Sequence, residues 1–174
     1  MEFDKKTYKQ EFENALLEGS IRTSDQQFKI KLFLRKAENS LLIANHVKDI
    51  KPAKGQPEKL YWNYWAITIS YYAMLYAAKA AILTKGYETK NHTAAQTALG
   101  HLLVPNQIQK EDLLLLQQAH KIFEDEYVKY FEDARKEAHT ARYTAIKTYT
   151  EKRLEEIHNN AQKFVAKIAL FIQE

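Results

Sequence analysis

Three residues that could act on a phosphate lie close together in the last third of the chain, namely Arg135, His139 and Arg142. On a continuous helix residues i and i+4 share a face, so Arg135 and His139 could reach one phosphate, with Arg142 a turn further on. An arginine is a permanently charged, forked donor, and a histidine with a pKa near neutrality can transfer protons. The alternative interpretation is structural, with Arg135 paired to carboxylates such as Glu132 and His139 at the surface.

A second arginine–histidine pair, Arg153 and His158, has four residues between its members. It falls inside a predicted helix, where residues i and i+5 diverge by about 140° around the axis. We therefore interpret this pair as an accidental match.

The sequence gives no support for a metal centre. Glu155 and His158 form one Glu-x-x-His motif, whereas a di-iron bundle site needs two such motifs and two further glutamates. His46, His101 and His120 show no H-x-x-x-H or H-E-x-x-H spacing, and the chain has no cysteine. We predict neither a metal nor a cofactor.

Several aromatic residues are candidates for contact with a ligand. Five of them could stack on bases, as aromatic platforms do in proteins that bind single-stranded nucleic acid: Trp62, Trp65, Tyr71, Tyr72 and Tyr76. Their helical spacing within an apolar segment favours a place in the core or in a dimer interface. His92 could contact a ligand or a backbone group, and we interpret it as a structural loop histidine that is worth mutating.

The composition indicates a soluble all-α protein. Of its 174 residues 45% are hydrophobic and 28% charged, and 4 Gly and 3 Pro leave few helix breaks. The net charge of +4, with lysines mixed among glutamates, is typical of a solvated mixed-charge surface rather than a dedicated nucleic-acid binder. The absence of cysteine and of a signal-peptide pattern at the N-terminus predicts a cytoplasmic protein.

The segment 60–83 is long enough to cross a bilayer, and Lys79 is its only formally charged residue. Asn63, Thr68, Ser70 and several tyrosines make it a poor hydrocarbon span. We predict that it is the central helix of a soluble bundle and that the protein has no membrane partner.

The hydrophobic periodicity predicts an antiparallel bundle of four to five long helices plus one short helix. The long helices are expected at about 3–17, 25–48, 58–85, 107–138 and 148–172, and the short helix at 93–103. Ser24 is expected to cap the second helix, and Thr148 with Glu151 forms a capping box for the last. No strand is expected. We predict one domain, 1–174, with an N-terminal extension helix in 1–22 and the bundle core in 23–174.

The stretch Ser70–Gly86, SYYAMLYAAKAAILTKG, is followed by His92 and resembles the central helix of the HEPN superfamily. Members often have serine, paired aromatics, Ala-Met and then an alanine-rich run ending in glycine and histidine. The segment 33–41, FLRKAENSL, is similar to the first core helix, and Ala161, Phe164 and Ile168 are similar to the last. The resemblance covers about 28–172 and implies a HEPN-like helical bundle.

Catalytic members of this superfamily are metal-independent ribonucleases that usually act as dimers. They carry an arginine, four to six residues and then a histidine near the end of the third core helix. The resemblance implies that His139 is a general acid/base and that Arg135 and Arg142 hold phosphate, although only three residues separate Arg135 from His139. It also makes His92 and Tyr143 candidate ligand-binding residues.

Three functions stay open. The preferred one is a HEPN-like nucleotide- or RNA-associated or protein-interaction module without catalysis, acting as a homodimer or with a small nucleotidyltransferase in a toxin–antitoxin-type system. The alternative is a metal-independent HEPN ribonuclease, a toxin that uses His139 and Arg135. The third is a helical scaffold unrelated to nucleotides.

Overall fold

The computed structural model describes residues 3–134 and 140–173, and the side chains of 3–125 and 150–173. These residues form six helices and two short strands: α1 Lys5–Leu17, β1 Ile21–Thr23, α2 Phe28–Asp49, α3 Lys59–Leu83, β2 Tyr87–Thr89, α4 His92–Leu102, α5 Lys110–Ala134 and α6 Thr140–Gln173. The all-α helical prediction is confirmed, and the four longest helices have 22 to 34 residues.

Helix α3 is the centre of the bundle because its small residues let other helices approach closely. Ala73, Ala77, Ala78, Ala80 and Ala81 are all 0% exposed. Larger side chains of the same helix are also buried, namely Ile67, Tyr71, Met74 and Ile82, as are Phe164 and Ile168 of α6. Full burial of one such side chain contributes about 1.5–3 kcal/mol.

Four contacts fix the directions of the long helices. Phe33 near the start of α2 stacks on Tyr76 near the end of α3, with ring centroids 6.1 Å apart. At the other end of the pair, the Lys59 ammonium at the start of α3 donates to the Ile50 carbonyl just after α2. Helices α2 and α3 are therefore antiparallel. Ser70 of α3 bonds to His158 of α6, and Lys85, just after α3, lies over the ring of Phe171 of α6, so α3 and α6 run parallel.

The N-terminal segment is attached to the bundle at two places. Helix α1 packs on α4, where the ring of Phe12 lies 4.6 Å from that of His101. It ends in a Schellman turn, in which Ser20 donates to the Ala15 carbonyl and Gly19 takes a positive φ of 70°. Strand β1 then pairs antiparallel with β2, placing Ile21 opposite Thr89.

Three local predictions were wrong. The two strands were not expected. The second helix was expected to begin at residue 25, after a cap at Ser24, but α2 begins at Phe28. The reason is that the backbone N–H of Ser24 continues the strand pairing by donating to the Gly86 carbonyl. The capping box at Thr148 does not open the last helix, since α6 already begins at Thr140.

In the described part of the chain one helix, Lys59–Leu83, is long and apolar enough to cross a membrane. Its most apolar 18-residue window is 72% buried inside the bundle. The core helix of a soluble protein passes the same test of length and composition.

Candidate functional site

His92 is the first residue of α4, and its ring lies against the centre of α3. The side chain of Asn91 caps the helix by accepting from the backbone N–H of Ala94 at 2.8 Å. This turn presents His92 to Tyr71, whose hydroxyl forms a hydrogen bond with Nδ1 of His92. The two rings also stack, with centroids 5.4 Å apart and an interplanar angle of 11°. His92 is thus fixed by α3 rather than by a backbone group of its own loop.

Helix α5 adds a second histidine to the same stack. The ring of His120 lies 5.2 Å from that of His92 and 5.4 Å from that of Tyr71. Its Nδ1 is 3.1 Å from the side-chain amide nitrogen of Gln96, and its Nε2 is 3.3 Å from a carboxylate oxygen of Glu124. Three helices therefore meet at one set of stacked rings.

Burial favours the neutral forms of Tyr71 and His92. It raises the pKa of Tyr71 well above its ordinary value, with smaller contributions from Tyr72 and Glu124. Burial also lowers the pKa of His92, assisted by His120 and Lys79 and opposed by Glu124. Because Tyr71 retains its proton, its hydroxyl can donate to Nδ1 of His92, which leaves the imidazole proton on Nε2.

Further aromatic rings, tilted or edge to face with one another, continue from His92 toward α2. Tyr72 and Tyr76 are one turn apart on α3 and partly exposed, with centroids 6.1 Å apart. Tyr72 lies 5.9 Å from His92, edge to face, and Tyr76 lies 6.1 Å from Phe33 of α2. We call these four partly exposed rings, Phe33, Tyr76, Tyr72 and His92, the aromatic row.

Two lysines accompany the aromatic row. The ammonium of Lys36 lies 5.5 Å from the ring centroid of Tyr76, within cation–π distance. Lys79, one turn beyond Tyr76 on α3, is partly buried, and burial lowers its pKa, with Lys36 acting in the same direction and Glu88 against it. The carboxylate of Glu88 is already paired with Lys29 at 3.0 Å. The row therefore combines aromatic faces with positive charge that is only partly neutralised.

The pair Arg153 and His158 does not form a site. His158 is 3% exposed, and its Nδ1 lies 3.2 Å from the Ser70 hydroxyl in the interior between α3 and α6. Arg153 forms an ion pair with Glu156 at 2.9 Å on the same helix. The two side chains have different partners, as expected for residues five apart on a helix.

Arg135 and His139 lie outside the described residues. Arg142 and Tyr143 belong to α6, and their side chains also lie outside the described part. The contact between Ser70 and His158, which are 88 residues apart in sequence, aligns these two residues along the parallel helices α3 and α6. Tyr71 follows Ser70 on α3, so it lies at the same height as residue 159 of α6. The backbone of Arg142 is then about 25 Å further along the axis at 1.5 Å per residue. The fold does not bring the start of α6 to His92.

Sequence reasoning missed the partners of His92. His120 had been considered only as a metal ligand, and Lys36 and Lys79 were not considered as functional residues. The available signal was the spacing of Tyr72, Tyr76 and Lys79, which places two aromatic rings and one cation on a single helix face. Among the residues that the structure describes, no group of three or more His, Asp or Glu side chains could hold a metal ion.

The fold and the site define an all-α helical bundle with an aromatic and basic strip on its central helix. A sequence model of the HEPN domain matches residues 30–170, and the chain belongs to the HEPN domain family. The match begins in α2, so α1 and β1 lie outside it. No curated protein sequence matches the chain significantly. Membership of the family supports a nucleotide- or RNA-associated module.

Proposed function

We propose that this protein is a non-catalytic HEPN module that binds single-stranded RNA or a nucleotide at the aromatic row. The observation that carries the proposal is the row itself, four rings at centroid spacings of 5.9 to 6.1 Å with Lys36 and Lys79 beside them. Aromatic side chains stack on successive bases at about 1–3 kcal/mol per base, and nearby lysines neutralise the backbone.

The chemistry of His92 supports binding rather than catalysis at this place. Its Nδ1 is engaged by Tyr71, and burial lowers its pKa, so it is a neutral ring with one remaining nitrogen. A neutral histidine in this setting can stack on a base and form one hydrogen bond with it.

Anisotropy of a fluorescein-labelled single-stranded 12-mer RNA, measured with EDTA present, tests this proposal. Tyr72→Leu removes one ring while keeping an apolar side chain, and we expect binding to weaken by about tenfold. Lys79→Gln is expected to lower the dependence of log K on log salt by about one unit. Lys163→Gln, an equal charge change at an exposed site on α6, is the matched control. Unchanged affinity in both Tyr72→Leu and Lys79→Gln would contradict the proposal.

We propose in addition that the protein is a homodimer. Four exposed apolar side chains lie near the start of α3 and the end of α2: Leu42 at 71%, Ile43 at 53%, Tyr61 at 42% and Trp65 at 63% exposure. In a two-fold dimer the same patch meets itself, so these apolar side chains would be buried against their own copies. A second copy of the chain therefore fits this surface.

Two further statements stay predictions that rest on the family resemblance. A nucleotidyltransferase partner in a toxin–antitoxin-type pair would be tested by co-purification with the product of the adjacent gene. The alternative of a metal-independent ribonuclease rests on Arg135, His139 and Arg142, whose side chains lie outside the described residues. The two functions differ in whether bound RNA stays intact.

A further inference from the structure

The first turns of α2 concentrate positive charge at the surface. The segment 28–36, FKIKLFLRK, contains four cations and no acidic residue, whereas the chain as a whole mixes lysines with glutamates. The ammonium of Lys29 pairs with Glu88 at 3.0 Å. Lys31 and Arg35 are exposed, and in the part of the chain that the structure describes they have no ion-pair partner. Two cations of α2 are therefore available to an anionic ligand.

These two charges oppose the stability of α2 rather than support it. Lys31 and Arg35 are at positions i and i+4, where like charges on a helix surface repel each other. The first turn of α2 contains no acidic residue, so Lys31 also lies near the positive end of the helix dipole without compensation. A bound anion would relieve both effects. The arrangement is explained better by a ligand than by folding.

Apolar side chains lie beside these cations. Phe28 is 69% exposed and Leu32 is 46% exposed, and they are one turn apart on α2. At about 100° per residue, Phe28, Lys31, Leu32 and Arg35 fall within about 100° of one another around the helix axis. We call these four residues the α2 face. It combines an exposed ring with positive charge, as the aromatic row does.

Lys36 joins the α2 face to the aromatic row. Its ammonium lies 5.7 Å from the ring centroid of Phe33 and 5.5 Å from that of Tyr76, both of which belong to the row. Around the helix axis Lys36 falls between Phe33 and Leu32, at about 60° from the first and about 40° from the second. The two surfaces are therefore continuous and carry charge of the same sign.

The combined surface is too extended for a mononucleotide, which has one base. The row alone presents four rings at centroid spacings of 5.9 to 6.1 Å, and the α2 face adds Phe28 with two further cations. An acidic protein segment would also match the charge. The exposed ring of Phe28 and the continuity with the row favour a nucleic-acid strand, because bases stack on aromatic side chains while phosphates bind lysine and arginine.

We propose that the ligand of the aromatic row is a single-stranded RNA longer than the four bases that the row can stack. From Lys36 the strand continues onto the α2 face, where Lys31 and Arg35 bind phosphates and Phe28 stacks on a base. This inference rests on the proposed function, and it selects a strand rather than a free nucleotide as the ligand.

Comparison of a 4-mer and a 12-mer of oligouridylate tests the inference. The 12-mer is measured by fluorescence anisotropy, and the 4-mer by the shift of the His92 ring signals in NMR spectra. Lys31→Gln/Arg35→Gln is expected to weaken the 12-mer by about tenfold and to lower its dependence of log K on log salt by about 1.4 units, while the 4-mer is unaffected. Tyr72→Leu is expected to weaken both lengths.

Matched variants separate the α2 face from overall charge and from folding. Lys121→Gln/Lys163→Gln, an equal charge change at exposed lysines of α5 and α6, should keep 12-mer affinity close to that of the wild type. Phe28→Leu should weaken the 12-mer, whereas Phe28→Trp, which keeps a ring, should not. Because the charges of Lys31 and Arg35 repel each other, their replacement should not lower the melting temperature.

Three outcomes would overturn the inference. If Lys31→Gln/Arg35→Gln binds the 12-mer as tightly as the control double variant while Tyr72→Leu still weakens it, the row binds RNA but the strand does not reach α2. The proposed function then stands without the extension. No binding of either RNA by a normally folded wild type would reject both. Polyglutamate that displaces the 12-mer from the wild type, and binds through Lys31 and Arg35, would make the α2 face a protein-docking surface instead.

Discussion

The hydroxyl of Tyr71 bonds to Nδ1 of His92 across 21 residues of sequence, and the two rings stack at 5.4 Å. This contact joins the fully buried centre of α3 to the first residue of α4. It explains how a histidine at the end of a loop is held in a fixed orientation. It also places His92 at one end of the aromatic row.

Tyr71→Phe keeps the stacked ring and removes the hydrogen bond. We expect the free energy of unfolding to fall by about 1 kcal/mol. The pKa of His92 lies below its ordinary value of 6.5, and it should rise in the variant because a bond that favours the neutral imidazole is lost. NMR titration of the histidine ring signals measures the pKa of His92 in the wild type and in the variant. A wild-type His92 that titrates at or above 6.5 would contradict the description of the site.

The buried His158 should make stability depend on pH. Burial lowers its pKa from 6.5, with a smaller contribution in the same direction from Lys48 and an opposing one from Asp49. As the pH falls, the unfolded chain therefore binds the proton before the folded one does. The contribution of neutral His158 to the free energy of unfolding is complete above pH 6.5 and is lost as the pH falls below that value.

Urea unfolding at a series of pH values measures this dependence. The double variant Ser70→Ala/His158→Phe should have a smaller slope below pH 6.5 than the wild type, because it removes the buried titrating group. His46→Gln, a change at an exposed histidine on α2, should keep the wild-type slope. Equal slopes in the wild type and the double variant would show that His158 is not titrated on folding.

Gly100→Ala should detach α1 from α4. A Cβ atom at this position would lie 2.5 Å from the ring of Tyr8, which is closer than real contacts allow. Overpacking of this kind costs about 1–3 kcal/mol. Hydrogen exchange should become faster in α1 and stay slow in α3. Adding Tyr8→Leu should relieve the clash, and if it restored no protection the proposed packing would be wrong.

Trp65→Glu should dissociate the proposed homodimer. The substitution places like charges opposite each other across a two-fold interface and replaces a side chain that is 63% exposed in the monomer. Multi-angle light scattering at micromolar concentration is expected to show a dimer for the wild type and a monomer for this variant. Leu170→Glu, at a residue that is 64% exposed on α6, is expected to remain dimeric. A monomeric wild type would contradict the dimer.

The sequence predicted the helices well where the periodicity was long. Helix α3 was expected at about 58–85 and spans Lys59–Leu83. The prediction was close because the alanines that favour the helix, and the residues Pro57 and Gly86 at its two ends, are all signals in the local sequence. The strands could not be found in this way, since each has three residues and its partner is 66 residues away. Thr148 and Glu151 match a capping box, but the pattern also occurs inside helices, and α6 continues through it.

The site was predictable only in part. Tyr71, Tyr72, Tyr76 and His92 were recognised as candidates from their spacing and family resemblance. Their arrangement depends on tertiary packing, because the ring of His120 comes from α5 and Phe33 comes from α2. Local sequence carries no signal for these neighbours. The roles of Arg135, His139 and Arg142 stay predictions.

We expect the protein to bind RNA without cleaving it. The most direct test incubates a labelled RNA ladder with wild-type protein and with His139→Ala in EDTA, and examines the same samples by gel shift and by denaturing gel. We expect shifted and fully intact RNA for both proteins. Cleavage by the wild type that His139→Ala abolishes, without a lower melting temperature, would contradict it and establish the ribonuclease function.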